Sequence, residues 1–282
     1  MATYPQFGLL PYFAPSPVPL PSYEEIVTAP STMMGTQNPS RHTVKVGEHF
    51  IVKYGTKINF AEGENMLIVR QYTNIPVPTL YAMYRHEPSG TNVIVMEYVP
   101  GEVLADCYNN LTPEDRLSIG AQLRQHLREL QNIPSSGFYG RAGARPYQAH
   151  DALFVKKAGP FDSANDFLEA YFRAQFLELI KMNDPEFDDF KFAFLDSSKG
   201  YDAPVFTHGD LHHRNILLRR DKSLCIIDWE LASYCPKYFD FIMPGLYETV
   251  TAELSENEEE SFLPYAELAE QIAGARNDFG YF

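Results

Sequence analysis

Pro100-Gly101 is where this chain changes character. Upstream, Thr43-Val44-Lys45-Val46 and His49-Phe50-Ile51-Val52-Lys53-Tyr54 flank Gly47-Glu48, the pattern of a β-hairpin between His42 and Gly55. Ala61 to Tyr72 reads as a helix, with Met66 and Val69 at i, i+3 spacing, and it stops before Ile75-Pro76-Val77-Pro78. Strands follow around Thr79–Tyr84 and Val93–Tyr98. Downstream, Thr112-Pro113-Glu114 is a helix start, a capping hydroxyl followed by proline at the first helical position. Ile119, Leu123, Leu127 and Leu130 then form one apolar stripe. A second helix is expected from Ser163, carrying Phe167, Tyr171, Phe172, Phe176, Leu179 and Ile180, aromatics that read as core packing. The expected fold class is α+β, a small β-rich lobe over residues 40–98 and a larger helical lobe over 99–282, within the 282 residues available.

The first 39 residues hold eight of the 21 prolines, which predicts an extended arm, as a tail or a strap along the domain. The formal charge is −14, and −8 of it falls between Gly245 and Phe282, so the excess describes an acidic C-terminal segment. Such a balance argues against a general nucleic-acid binder. Three cysteines at unrelated spacings fit neither a disulfide framework nor a zinc ribbon and point to a reducing compartment. No apolar run has the length of a membrane span and no leader opens the chain, so a cytoplasmic protein without membrane attachment is expected.

The chemistry concentrates in Val205–Glu230. Val205-Phe206-Thr207 leads into His208-Gly209-Asp210-Leu211-His212-His213-Arg214-Asn215, and Ile216-Leu217-Leu218 follows. A polar turn then separates a second apolar run, Leu224-Cys225-Ile226-Ile227, from Asp228-Trp229-Glu230. If the two runs pair as a hairpin, Asp228 returns near the loop. Asn215 and Asp228 then supply oxygens for a hard cation, beside a separate carboxylate at Asp210. Mg²⁺ takes few protein oxygens and is completed by phosphate and water. Phosphoryl transfer needs that metal, a base for the attacking hydroxyl and a cation on the phosphates. A zinc reading of His208, Asp210, His212 and His213 lacks a second His or Cys cluster to complete a tetrahedral set. No Gly-x-Ser-x-Gly elbow supports a serine hydrolase.

His208-Gly209-Asp210, Asn215 five residues after the Asp, and Ile227-Asp228-Trp229-Glu230 resemble the aminoglycoside phosphotransferase family, a branch of the protein-kinase-like fold, and most closely its fungal members. The resemblance covers about residues 40 to 245. It implies a two-lobed kinase-like fold with the nucleotide between the lobes. It implies Asp210 as the catalytic group that accepts or orients the hydroxyl proton, Asn215 and Asp228 as ligands of Mg²⁺, and Lys53 as the phosphate-pairing lysine. Glu62 is implied as the partner of Lys53, in preference to Glu64, because the following Met lies four residues on. In Val95-Met96-Glu97-Tyr98-Val99-Pro100-Gly101 the backbone of Glu97 and Val99 would hold adenine. The implied reaction uses ATP and Mg²⁺ to phosphorylate a hydroxyl of a small molecule. Choline, homoserine or sugar kinases of the same fold, or a catalytically silent nucleotide-binding module, are the alternatives.

The sequence departs from protein kinases at Gly209, where they carry Arg, at Trp229-Glu230, where they carry Phe-Gly, and in lacking an Ala-Pro-Glu element. No Gly-x-Gly-x-x-Gly precedes Lys53. The loop over the phosphates is therefore expected within Asn38–His42 or between Val46 and His49, with neither preferred. His208 is expected to brace the loop, while His212 and His213 face substrate or solvent, and Tyr98 and Trp229 are expected to pack.

Overall fold

A computed structural model of the chain describes residues 10–31, 40–148, 154, 156–241, 265, 268–271 and 274. The elements run β1 (Tyr12–Phe13), α1 (Tyr23–Thr28), β2 (His42–Val46), β3 (Phe50–Gly55), α2 (Ala61–Tyr72), β4 (Leu80–His86), β5 (Thr91–Glu97) and β6 (Glu102–Val103). They continue with α3 (Leu104–Cys107), α4 (Pro113–Gln131), α5 (Ala164–Gln175), α6 (Leu177–Met182), α7 (Pro185–Ser197), β7 (Pro204–Thr207), β8 (Ile216–Leu218), β9 (Leu224–Ile226) and β10 (Ser233–Pro236). Two compact units result: Met1–Glu102 with Leu217–Glu230, and Val103–Ile216 with Leu231–Phe282.

The first unit is built on an antiparallel sheet in the order β1-β4-β5-β3-β2. The hairpin between β2 and β3 turns at Gly47, whose φ of 60° is the left-handed region glycine tolerates. Side chains alternate across a strand, and this alternation places the chemistry. Val44, Phe50, Val52, Ala82, Val93 and Val95 share a core with Ile26 of α1. Lys53, next to Val52, points to the opposite face, which α2 covers. There the helix comes so close that a Cβ on Gly63 would collide with Met83 Sδ.

The proline-rich arm is not extended throughout. Its residues 10–31 add β1 to the sheet edge beside β4 and form α1. Ser22 starts that helix with a capping box, its hydroxyl accepting from Glu25 N–H while the Glu25 carboxylate accepts from Ser22 N–H at 2.7 Å. Tyr23 stacks on His86 at 3.6 Å between ring centroids and bonds Ser89 and Thr91. The local cap and the burial of Ile26 outweigh the proline bias of the flanking residues. Within the first unit the polar turn closes through Arg219 N–H to the Ser223 carbonyl at 2.9 Å, and β8 and β9 are neighbouring strands, the expected hairpin.

In the second unit α4 starts at Thr112, whose side chain accepts from Asp115 N–H, and buries Ile119, Leu123, Leu127 and Leu130. Ser163 caps α5 in the same way. The expected continuous helix to Ile180 is interrupted: at Phe176 the backbone leaves helical geometry (φ −125°, ψ 35°), and α6 starts afresh at Leu177. Packing explains the break. Phe176 is buried against Phe172, Phe187 and Phe190, a position the uninterrupted helix would have carried past. The aromatic core continues from Phe167 and Tyr171 to Phe239. Among the described residues no helix is long and apolar enough to cross a membrane. Most of the acidic C-terminal stretch from Gly245, and Asn38–Pro39 of one candidate phosphate loop, lie outside the described residues.

Candidate active site

In the first unit the polar centre is Lys53. Its Nζ lies 2.8 Å from Glu62 Oε1 and 2.9 Å from Asp228 Oδ1. Strand alternation aims the lysine at α2, and Glu62 meets it from the first turn of that helix, where a carboxylate also suits the helix dipole. Glu64 is buried nearby and is not the residue that bonds Lys53 in this arrangement. Burial alone would push the ammonium down. The Glu62 and Asp228 charges outweigh it and hold Lys53 above the ordinary lysine range. Burial pushes Glu62 up, against the pull of Lys53.

Asp228 has φ of 64°, a conformation that a short polar side chain tolerates and that needs support from its surroundings. That support comes from both sides. Ile226 N–H donates to the Pro76 carbonyl at 3.0 Å, and Asn65 Nδ2 donates to the Trp229 carbonyl at 2.8 Å. Trp229 is fully buried, with Nε1 donating to the Ile226 carbonyl. Both carboxylate oxygens of Glu230 accept from the single Nη1 of Arg41 at 2.9 Å. At the end of β5, Glu97 N–H donates to the Thr79 carbonyl at 2.8 Å, and the Glu97 carboxylate accepts from the Thr79 hydroxyl and N–H. Val99 is buried two residues on. Lys45 Nζ sits over the Tyr98 ring at 3.7 Å.

In the second unit β7 pairs with β10, Thr207 opposite Ser233, and releases the chain into the loop that begins at His208. His208 is fully buried, and its Nδ1 accepts from Asp210 N–H at 3.3 Å. Gly209 has φ of 81°, and a Cβ there would stand 2.7 Å from the Leu231 carbonyl oxygen, which excludes a larger residue. Asn215 Nδ2 donates to the Asp210 carbonyl at 2.8 Å and to Asp210 Oδ2 at 3.0 Å. His212 Nε2 lies 3.4 Å from the same Oδ2. The His213 ring instead lies against Tyr108, with centroids 4.5 Å apart and planes tilted by 39°. Burial pushes the Asp210 carboxyl up, but its bond from His212, the charge of that imidazole and the Asn215 bond outweigh burial and hold it below the ordinary value.

The sequence reading missed Asp240. This buried carboxylate accepts His208 N–H on Oδ2 at 3.0 Å and Gly209 N–H on Oδ1 at 2.8 Å, so it fixes the loop from beneath. An acid alone between Phe239 and Phe241 was the available signal, since an unpaired charge in an apolar run needs a partner. Burial raises its pKa from 3.8 to about 6, against the opposing pull of the two amides. Between those values the folded chain holds the proton more tightly than the unfolded one. Asp240 therefore contributes more stability below pH 3.8 and loses that contribution as pH rises to about 6.

Two comparisons relate the chain to known proteins. The profile of the phosphotransferase enzyme family matches residues 41–270. The apo form of a thermostable mutant of aminoglycoside phosphotransferase APH(4)-Ia is similar with a TM-score of 0.57 and 12% identity, over 88% of this chain and 86% of that one. The streptomycin–ATP–APH(2")-IIa ternary complex gives 0.52 and 15%, over 88% and 83%. ADP-bound APH(2'')-Ib gives 0.53 and 14%, over 84% and 79%. No curated protein sequence matches the chain. The fold is the α+β, kinase-like fold of these structures.

Proposed function

The chain belongs to the phosphotransferase enzyme family, and from that premise we propose that it transfers the γ-phosphoryl group of ATP to a hydroxyl of a small molecule. The observation that carries this reading is the ion-paired Lys53, held by Glu62 and Asp228, in a chain whose other unit presents Asp210 braced by Asn215. Lys53, positioned by Glu62, pairs with the nucleotide phosphates. Asp210 orients the acceptor hydroxyl and takes its proton as the oxygen bonds to the γ-phosphorus and the bond to the β-phosphate oxygen breaks, releasing ADP. Both described bonds to the Asp210 carboxylate fall on Oδ2, which leaves Oδ1 to face the acceptor.

An amide oxygen and a carboxylate are donor types that Mg²⁺ takes. Asn215 spends its amide N–H groups on Asp210, so its Oδ1 is the atom that would serve as ligand, and Asp228 supplies a carboxylate oxygen. Bound there, Mg²⁺ would neutralise phosphate charge. The backbone of Glu97 and Val99 reads adenine. Support for nucleotide use comes from the relatives described as complexes of ATP and ADP.

The acceptor is a small molecule, not a protein. Gly209, Glu230 and the missing Ala-Pro-Glu element depart from the parts with which protein kinases order a peptide, and positioning supplies most of the rate. Glu230 is engaged with Arg41. A choline, homoserine or sugar acceptor stays within this reading. So do a cytoplasmic location and a place among the family's fungal members, the latter resting on the motif pattern alone.

Calorimetric titration with ATP, with and without Mg²⁺, tests the reading together with an ATP-turnover screen. Mg²⁺-dependent binding and turnover with a hydroxyl compound are expected. Lys53→Ala should weaken Mg·ATP binding by about 10- to 100-fold, the loss of a charged hydrogen bond. Binding without turnover for any acceptor would favour the silent module instead.

The Asp240 anchor makes a second prediction. Turnover should fall as pH drops below about 6, where Asp240 takes up a proton and one of its oxygens becomes a much weaker acceptor for its loop amide. Its stability contribution should rise over the same interval. Asp210 does not account for that limb, because it stays ionised to below its ordinary 3.8. Asp240→Asn should show low turnover without the limb. A wild-type profile flat from pH 7 to 5 would contradict the assignment.

A further inference from the structure

Antiparallel residues opposite one another in a hydrogen-bonded pair exchange two backbone bonds. Thr79 and Glu97 exchange one. Glu97 N–H donates to the Thr79 carbonyl at 2.8 Å, but Thr79 N–H does not return a bond to the Glu97 carbonyl. It donates instead to Glu97 Oε2 at 3.0 Å, and the Thr79 hydroxyl donates to the same oxygen at 2.8 Å. On its other side β5 continues past Glu97 with Tyr98 N–H donating to the His49 carbonyl, so the Glu97 carbonyl faces the Thr79 side. Among the described residues it accepts no bond from Thr79, the donor the ladder would have supplied.

We infer that the Glu97 side chain is a positioning residue: by capturing Thr79 N–H and hydroxyl, its carboxylate keeps the Glu97 carbonyl out of the sheet, so that this carbonyl accepts a hydrogen bond from the exocyclic amino group of adenine. The inference rests on the proposal that Glu97 and Val99 read the base, and it adds a role for the side chain. A ladder that closed normally would turn the carbonyl in line with Thr79 N–H and make the two donors compete. The same carboxylate therefore sets preference for a base that donates at that position over one that presents an oxygen.

The test measures dissociation constants of ATP and inosine triphosphate with Mg²⁺, on the full chain, for wild type, Glu97→Ala and Glu97→Gln. Inosine triphosphate carries a carbonyl oxygen in place of the amino group. Glu97→Ala should lower the preference for ATP by about 5- to 10-fold, the worth of one hydrogen bond. Glu97→Gln, whose amide oxygen can still accept from Thr79, should retain most of it. Amide exchange should show Thr79 N–H still protected in Glu97→Ala, now by the residue-97 carbonyl. A folded Glu97→Ala with wild-type preference, or an unprotected Thr79 amide, would overturn the role of the side chain while leaving the base-reading proposal standing. Equal loss in Glu97→Ala and Glu97→Gln, with a lowered melting temperature in both, would reduce the carboxylate to a structural part and overturn it as well. A wild type that binds neither nucleotide, or both equally, would overturn the base-reading proposal and this inference together.

Discussion

Asp210→Asn is expected to lower turnover by about 10²–10⁴-fold while leaving ATP affinity close to wild type. The substitution is nearly isosteric, and an amide oxygen can still accept from Asn215 Nδ2, which donates to Asp210 at 3.0 Å. What is lost is the negative charge and the capacity to take a proton. Residual positioning of the hydroxyl by the amide places the effect toward the lower end of the range. Steady-state kinetics at saturating ATP, beside a direct binding measurement, separates the two quantities. Equal loss of ATP affinity in Asp210→Asn and Lys53→Ala, with no difference in turnover at saturation, would contradict the division of labour.

Asp228→Ala should remove turnover almost entirely, by about 10³-fold or more, because charge stabilisation by a bound cation amounts to several kcal/mol. The variant also leaves Lys53 with one carboxylate partner, Glu62 at 2.8 Å. The flanking contacts of Ile226, Asn65 and Trp229 do not involve the Asp228 side chain, so the surrounding segment should keep its place. Thermal melting checks that point, and kinetics are compared only between folded variants. Wild-type turnover of Asp228→Ala at saturating Mg²⁺ would show that the carboxylate is no metal ligand.

Elements whose signals are local are legible in the amino-acid sequence. The helix expected at Ala61–Tyr72 has those bounds, and Thr112 and Ser163 act as caps at the expected positions. Strand alternation around Val52 and Lys53 separates the core face from the polar one. The misses share a cause. In α1 the signal of Ser22 and Glu25 sits inside a run of prolines that argues for extended chain. The break at Phe176 is decided by partners on α7, not by the residues beside it. Asp240 works through amides 31 and 32 residues away, and Glu97 through Thr79, 18 residues away. Periodicity carries no record of such tertiary pairings. The spacing of Asp210, Asn215 and Asp228 marks candidate chemistry, whereas the residues that hold those groups in place are readable only from the fold.

The most direct test of small-molecule phosphorylation is label transfer from γ-labelled ATP. The protein is incubated with Mg²⁺ and, separately, with a metabolite mixture and a protein mixture, with Asp210→Asn run in parallel. The account predicts labelled hydroxyl compounds of low mass, absent from the Asp210→Asn reaction. Transfer to protein side chains that is lost in Asp210→Asn, with no label on any small compound, would contradict it.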